Sequence, residues 1–274
     1  MLGTEPSFVT VDGRKLAYSE VSLPNPKGTI LLLTGLAAKR YGWYKQFEVF
    51  GRSYRTIALD HRDISDSDEV TSAYTAADMA DDAAAALKAL GVERAHVLGI
   101  SLGGFVALQF ALRHPEMVEK LVLISTSAGG STHVPPGPEM LAMLSRSSAG
   151  IEIGEQARSN YSAIMAPGYA ESQPEALERI AEIARYRPQN AAAYFRQLQA
   201  AMSHDAAQQL ERISAPTLVI HGDADPLVVP ANGEYLAQHI KGARHIVYAN
   251  VGHIPIIERS EDFNRDVLAF LETE

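Results

Sequence analysis

The sequence contains no cysteine, which excludes disulfides and thiolate chemistry together. It has no basic excess either: 24 lysines and arginines face 33 acidic residues, a net charge of −9. Basic residues cluster no further than pairs such as Lys39-Arg40, expected to be a solvated pair and not a basic stripe, so a nucleic-acid partner is not expected. Long apolar runs are missing as well. Runs such as Ile30–Leu33 fall far short of the roughly twenty residues a membrane span needs. No basic start followed by an unbroken apolar region occurs in the opening segment, so neither a signal peptide nor a membrane partner is expected, and the expected location is cytoplasmic.

What is present is ordinary globular material, 46% hydrophobic and 21% charged over 274 residues. Disorder, collagen and coiled coil are excluded on that composition. A chain of this length suits one α/β domain and buries about three quarters of its unfolded surface. No disulfide or metal is needed to explain its stability.

Short β-branched runs alternate with helical patterns. Ser7–Val11 and Lys15–Val21 flank Asp12-Gly13, a hairpin turn signal. Thr29–Thr34, Arg55–Leu59, His96–Leu98, Lys120–Ile124, Thr217–Ile220 and Arg244–Tyr248 follow as further strands. All but the last are nearly continuous apolar runs, as expected of strands covered on both faces. Helical patterns lie at Ala76–Leu90, Leu102–Arg113, Asn232–Ile240 and Glu261–Leu271. Alternation of this kind predicts right-handed crossovers and a mostly parallel sheet. The rhythm breaks from about Gly129 to Arg212, where only turns and helices are expected. Ser172 and Glu175 have capping-box spacing, with Pro174 in the first turn of a helix running to about Tyr186. Asn190–Ser203 and Ala206–Ile213 read as two more helices.

Gly99-Ile100-Ser101-Leu102-Gly103 fits G-x-S-x-G. The pentapeptide alone is weak, but a strand runs into it and an apolar-periodic helix runs out, the context a nucleophile elbow requires. On these residues the chain resembles the α/β-hydrolase fold family, over nearly its whole length. The resemblance implies an α/β fold: a mostly parallel eight-stranded sheet with helices on both faces and a helical cap insertion. It implies a core of residues 1–128 and 213–274 and a cap of residues 129–212. It also implies a triad in the order serine, acid, histidine.

His221-Gly222-Asp223-Ala224-Asp225-Pro226 resembles the family's acid loop and puts Asp225 in the acid position, with Asp223 a rival that a turn also explains. Val251-Gly252-His253 resembles the histidine loop. Ser101 would be the nucleophile, His253 its base and Asp225 the orienting acid. His221, His96 and His114 read as structural. No histidine or acid sits at a metal-ligand spacing, so neither metal nor cofactor is implied. Leu36 and Leu102 are the resemblance's candidates for the two oxyanion-hole amides.

Two departures stand out. Thr34-Gly35-Leu36-Ala37 has threonine where the family commonly has histidine. In Asp60-His61-Arg62-Asp63-Ile64-Ser65-Asp66-Ser67, Asp63 and Ser65 replace two glycines. That stretch reads as a structural loop with Arg62 paired internally, or else as a lining of the site's mouth. Within the insertion, Met140, Met143, Leu144, Tyr161, Met165 and Tyr194 are candidates for an apolar acyl pocket, with packing of the cap onto the core as the alternative.

The resulting expectation is a serine hydrolase of small to medium carboxylic esters or lactones, acting on a small-molecule substrate without a cofactor. Serine at the elbow argues against haloalkane dehalogenases and epoxide hydrolases, which place aspartate there. A carbon–carbon bond hydrolase, a cofactor-free perhydrolase and a thioesterase share the triad, and a non-catalytic binding protein is the reading from another class.

Overall fold

Alternate residues of the central strands send their side chains to opposite faces, and that alternation builds two cores. The structure is a computed structural model and describes residues 5–145 and 150–273. Its strands are β1 (Ser7–Val11), β2 (Arg14–Val21), β3 (Thr29–Leu33), β4 (Arg55–Leu59), β5 (Ala95–Ile100), β6 (Val118–Ile124), β7 (Thr217–Gly222) and β8 (Arg244–Tyr248). They form one sheet in the order β1-β2-β4-β3-β5-β6-β7-β8. The β1–β2 and β2–β4 pairs are antiparallel and the rest are parallel. At the hairpin tip Asp12 and Gly13 both take positive φ, 47° and 79°, the geometry of a tight two-residue turn.

Leu31 and Leu33 of β3 join one core with Val97, Leu108 and Phe110; Ile30 and Leu32 join the other with Leu98, Trp43, Phe50 and Phe263. Helices cover both faces. The framework helices are α1 (Phe47–Gly51), α2 (Ala76–Ala89), α3 (Leu102–Arg113), α9 (Ala231–His239), α10 (Pro255–Glu258) and α11 (Ser260–Leu271). Between β6 and β7 the chain leaves the sheet for α4 (Pro138–Leu144), α5 (Ile153–Ile164), α6 (Tyr169–Ser172), α7 (Pro174–Arg185) and α8 (Ala191–Met202).

Two local expectations change. Ser172 is the last residue of α6, and its hydroxyl donates to Tyr169 O at 3.0 Å; α7 starts after Gln173 with no side-chain cap. The expected helix at Ala206–Ile213 is a 3₁₀ segment, Ala207–Arg212. No helix among the described residues is long and apolar enough to cross a membrane.

Candidate active site

Ser101 stands at the junction of β5 and α3 with φ 54° and ψ −121°, a conformation that costs a non-glycine residue energy and persists only where its surroundings over-determine it. Its neighbours explain how. A Cβ on Gly99 would lie 2.1 Å from Gly103 O, and one on Gly103 would lie 2.3 Å from Leu33 O. Only glycine lets strand and helix approach this closely. Ser101 N–H donates to Ile124 O at 2.9 Å, and Thr126 Oγ1 donates to Ser101 O at 2.8 Å, so β6 and the residues after it hold the turn. Ser101 is half-buried at the carboxyl end of the sheet. Leu102 opens α3, where backbone N–H groups have no intrahelical partner and the helix dipole is positive.

The acid and the histidine arrive from β7 and β8. His253 Nδ1 lies 2.8 Å from Asp225 Oδ2, and both side chains are buried. A carboxylate accepts, so Nδ1 carries the proton and Nε2 is left with its lone pair. The other oxygen, Asp225 Oδ1, accepts the N–H groups of Leu227 and Val228, each at 2.9 Å. Burial alone would raise the Asp225 carboxyl, but His253 and then His221 outweigh it and hold it down at about 2. Asp223 does something else: its Oδ1 accepts the Asn250 N–H at 2.7 Å and stabilises the turn. His221 is fully buried, donates from Nε2 to Val228 O at 2.8 Å, and stands 3.5 Å from Asp225 Oδ2. The sequence marked His221 as structural but held no signal of its contact with the acid.

Glu258 is a further residue that local patterns did not single out. Its Oε2 accepts the Ala166 and Gly252 N–H groups at 2.8 and 2.9 Å, and its Oε1 accepts the Ile254 N–H at 3.0 Å. It therefore clasps His253 from both sides. Burial raises its carboxyl above the ordinary carboxylate range, against those three N–H groups and His253. The His253 N–H itself donates to Ile164 O at 2.8 Å, so the end of α5 rests on the histidine loop.

The loop after β3 lies beside the serine. A Cβ built on Gly35 would stand 3.3 Å from Ser101 Cβ and 3.8 Å from Ser101 Oγ. Leu36 follows in a turn closed by Ala38 N–H onto Gly35 O at 3.1 Å. Thr34, in the position where histidine is common, donates its hydroxyl to Ala38 O at 3.0 Å, while its carbonyl accepts from His61 Nε2 at 3.2 Å. The Ala37 N–H donates to Gln197 Oε1 of α8 at 2.8 Å.

In the loop after β4, Arg62 pairs with Asp82 at 2.6 Å. Asp63 and Ser65 keep the left-handed backbone that glycine favours, φ 67° and 54°. What the side chains add is a grip on the insertion. Both Asp63 oxygens meet Arg196 of α8 at 2.9 Å. Asp66 accepts from Tyr186 Oη at 3.1 Å and pairs with Arg187 at 2.7 Å. Lys39 and Arg40, expected as a solvated pair, are instead both buried, because each finds internal partners: Arg40 pairs with Asp60 and Asp66, and Lys39 donates to the Ile183 and Ala184 carbonyls, both at 2.8 Å, at the end of α7. Burial lowers the Lys39 ammonium to about 8, against Asp60 and Asp66.

The expected pocket residues divide. Met140, Met143, Tyr161 and Met165 pack with the core that contains Val251 and Ile254, beside His253. Tyr194 lies on α8 with its ring edge-on to Phe195 at 5.7 Å. The Leu144 side chain lies outside the described residues.

Residues 28–260 match a family model described as alpha/beta hydrolase fold. A putative carbamate hydrolase, RutD, from Caulobacter sp. (strain K31) is 29% identical, with 97% of this chain and 98% of the relative covered. The 3-oxoadipate enol-lactonase 2 of Acinetobacter baylyi (strain ATCC 33305 / BD413 / ADP1) is 28% identical over 84% of this chain and 83% of its own. The crystal structure of the enol-lactonase from Burkholderia xenovorans LB400 superposes with a TM-score of 0.85 at 25% identity, covering 97% of this chain and 100% of that one.

Proposed function

Because the chain belongs to the α/β-hydrolase fold family, we propose that it hydrolyses small to medium carboxylic esters or lactones through an acyl-enzyme formed on Ser101. The observation that carries the reading is the buried Asp225–His253 bond of 2.8 Å, delivered to the same edge of the sheet as the strained serine. His253 Nε2 takes the Ser101 proton as Oγ attacks the carbonyl carbon. The Leu36 and Leu102 N–H groups receive the oxyanion. Collapse breaks the carbon–oxygen bond, and His253 returns the proton to the leaving alkoxide. Water then repeats the cycle on the acyl-enzyme, and Asp225 stabilises imidazolium in each half-reaction. The names of the enol-lactonase relatives support an ester or lactone bond.

In this reading residues 129–212 form a cap, and Met140, Met143, Leu144, Tyr161, Met165 and Tyr194 shape the acyl pocket beneath it. The contact of the end of α5 with the histidine loop supports that placement. A carbamate substrate is the second reading, favoured by a relative that matches nearly the full length of both chains. It needs the same serine, with a carbamoyl group in place of the acyl.

The test is hydrolysis of p-nitrophenyl esters from acetate to laurate, a γ-lactone and a p-nitrophenyl carbamate, by wild type and Ser101→Ala. Turnover that disappears in the variant is expected, with esters or lactones preferred. Activity retained by Ser101→Ala would remove the serine from its role. Preference for the carbamate would select the second reading.

A further inference from the structure

The oxyanion loop holds a conformation that its own residues stabilise only in part. In the turn closed by Ala38 N–H on Gly35 O, Ala37 occupies the third position with φ 57°. Glycine or asparagine suits that position; alanine brings a Cβ against the backbone. Thr34 commits its hydroxyl to the Ala38 carbonyl. The bond that fixes Ala37 comes from elsewhere: its N–H donates to Gln197 Oε1 at 2.8 Å, across a separation of 160 residues.

Gln197 is an unusual side chain to spend on packing. It is fully buried on α8, yet its Nε2 has no hydrogen-bond partner among the described residues. A buried unpaired donor is unfavourable, and a leucine of similar size would avoid the loss. The bond to Ala37 is what the glutamine alone provides. Its neighbour Arg196 is locked to Asp63 by two bonds of 2.9 Å. Two consecutive residues of α8 thus hold the loop after β3 and the loop after β4.

We propose that Gln197 is a positioning residue for the oxyanion hole: by accepting the Ala37 N–H it fixes the turn that presents the Leu36 N–H to the oxygen bound over Ser101. The hole is then complete only while α8 is seated, and the turn that Thr34 braces at the Ala38 carbonyl is held at the Ala37 N–H from the insertion. This rests on the serine-hydrolase reading above.

The test compares wild type, Gln197→Leu, Gln197→Asn and Gln197→Glu, with Ser101→Ala alongside, on the best p-nitrophenyl ester. Active sites are counted by stoichiometric phosphonate labelling. Gln197→Leu lacks the acceptor and Gln197→Asn is one methylene too short. Both are expected to lose at least about tenfold in kcat per labelled site with KM within about twofold, because an oxyanion donor acts in the transition state. Gln197→Glu restores an acceptor oxygen and should recover most of the loss. A merely structural glutamine would lower the labelled fraction and the melting temperature while leaving kcat per labelled site unchanged, which overturns the proposal. A rise in KM at constant kcat overturns it too. Should the leucine variant fail to fold, the asparagine and glutamate variants carry the same comparison. If wild type neither labels nor turns over, the serine-hydrolase reading falls and this inference with it; if wild type labels and turns over and the variants match it, only this inference falls.

Discussion

Asp225 is shared by two histidines and two backbone N–H groups, and that environment keeps it ionised down to pH about 2. The acid limb of a pH–rate profile therefore does not belong to Asp225. Asp225→Asn keeps the shape but offers His253 an amide, which favours the wrong tautomer. Its kcat is expected to fall by about 10³ to 10⁴, with KM little changed, read by steady-state kinetics on the preferred ester. Wild-type kcat in this variant would take the acid out of the mechanism. Both aspartates follow β7, and the preference for Asp225 over Asp223 rested on the resemblance of His221–Pro226 to the family's acid loop. The second contact, from His221, was not legible, because a histidine four residues upstream across a loop follows no periodic pattern.

At the scale of elements, helix starts show how a local motif misleads. Ser172, Pro174 and Glu175 have the right spacing for a capping box, but α6 already claims Ser172, and its hydroxyl turns back to Tyr169 O. The box that forms is at α2. Asp78 N–H donates to Thr75 Oγ1 at 3.2 Å, and Thr75 N–H donates to Asp78 Oδ2 at 2.8 Å. Aspartate at the third position does the work usually given to glutamate. Thr75→Ala should cost about 1 kcal/mol of unfolding free energy with kcat unchanged, seen as a lower urea midpoint at constant slope. No change in midpoint would mean that the box stabilises nothing measurable.

Over the whole molecule, burial of neutral histidine sets the response to acid. Burial lowers His61 to about 4, against its bond to Thr34 O. Burial also lowers His204 to about 4, where its ring stacks on Phe105 at 4.5 Å and both ring nitrogens lack partners among the described residues. The unfolded chain protonates both near the ordinary value of about 6.5. Between those limits the unfolded state binds more protons, so stability falls as pH drops from about 6.5 towards 4 and is fully present above that window. The loss is on the order of a few kcal/mol per histidine. Urea unfolding at pH 7 and pH 4.5 measures it; equal midpoints at the two values would contradict the burial argument.

Strand and helix periods and the glycines around Ser101 are local properties, so the alternation and the elbow were legible in the chain itself, and the resemblance to the family added the acid and histidine candidates by their order. What holds them in place came from contacts between distant parts of the folded chain. Arg196 finds Asp63 across 133 residues and Gln197 finds Ala37 across 160, and no local period encodes such separations. The departures show the same division. Asp63 and Ser65 could be read as replacements for glycine, but that both keep left-handed backbone, and that Asp63 turns its carboxylate onto the insertion, followed only from packing. Buried charge needs a partner, and where that partner lies is set by the folded chain.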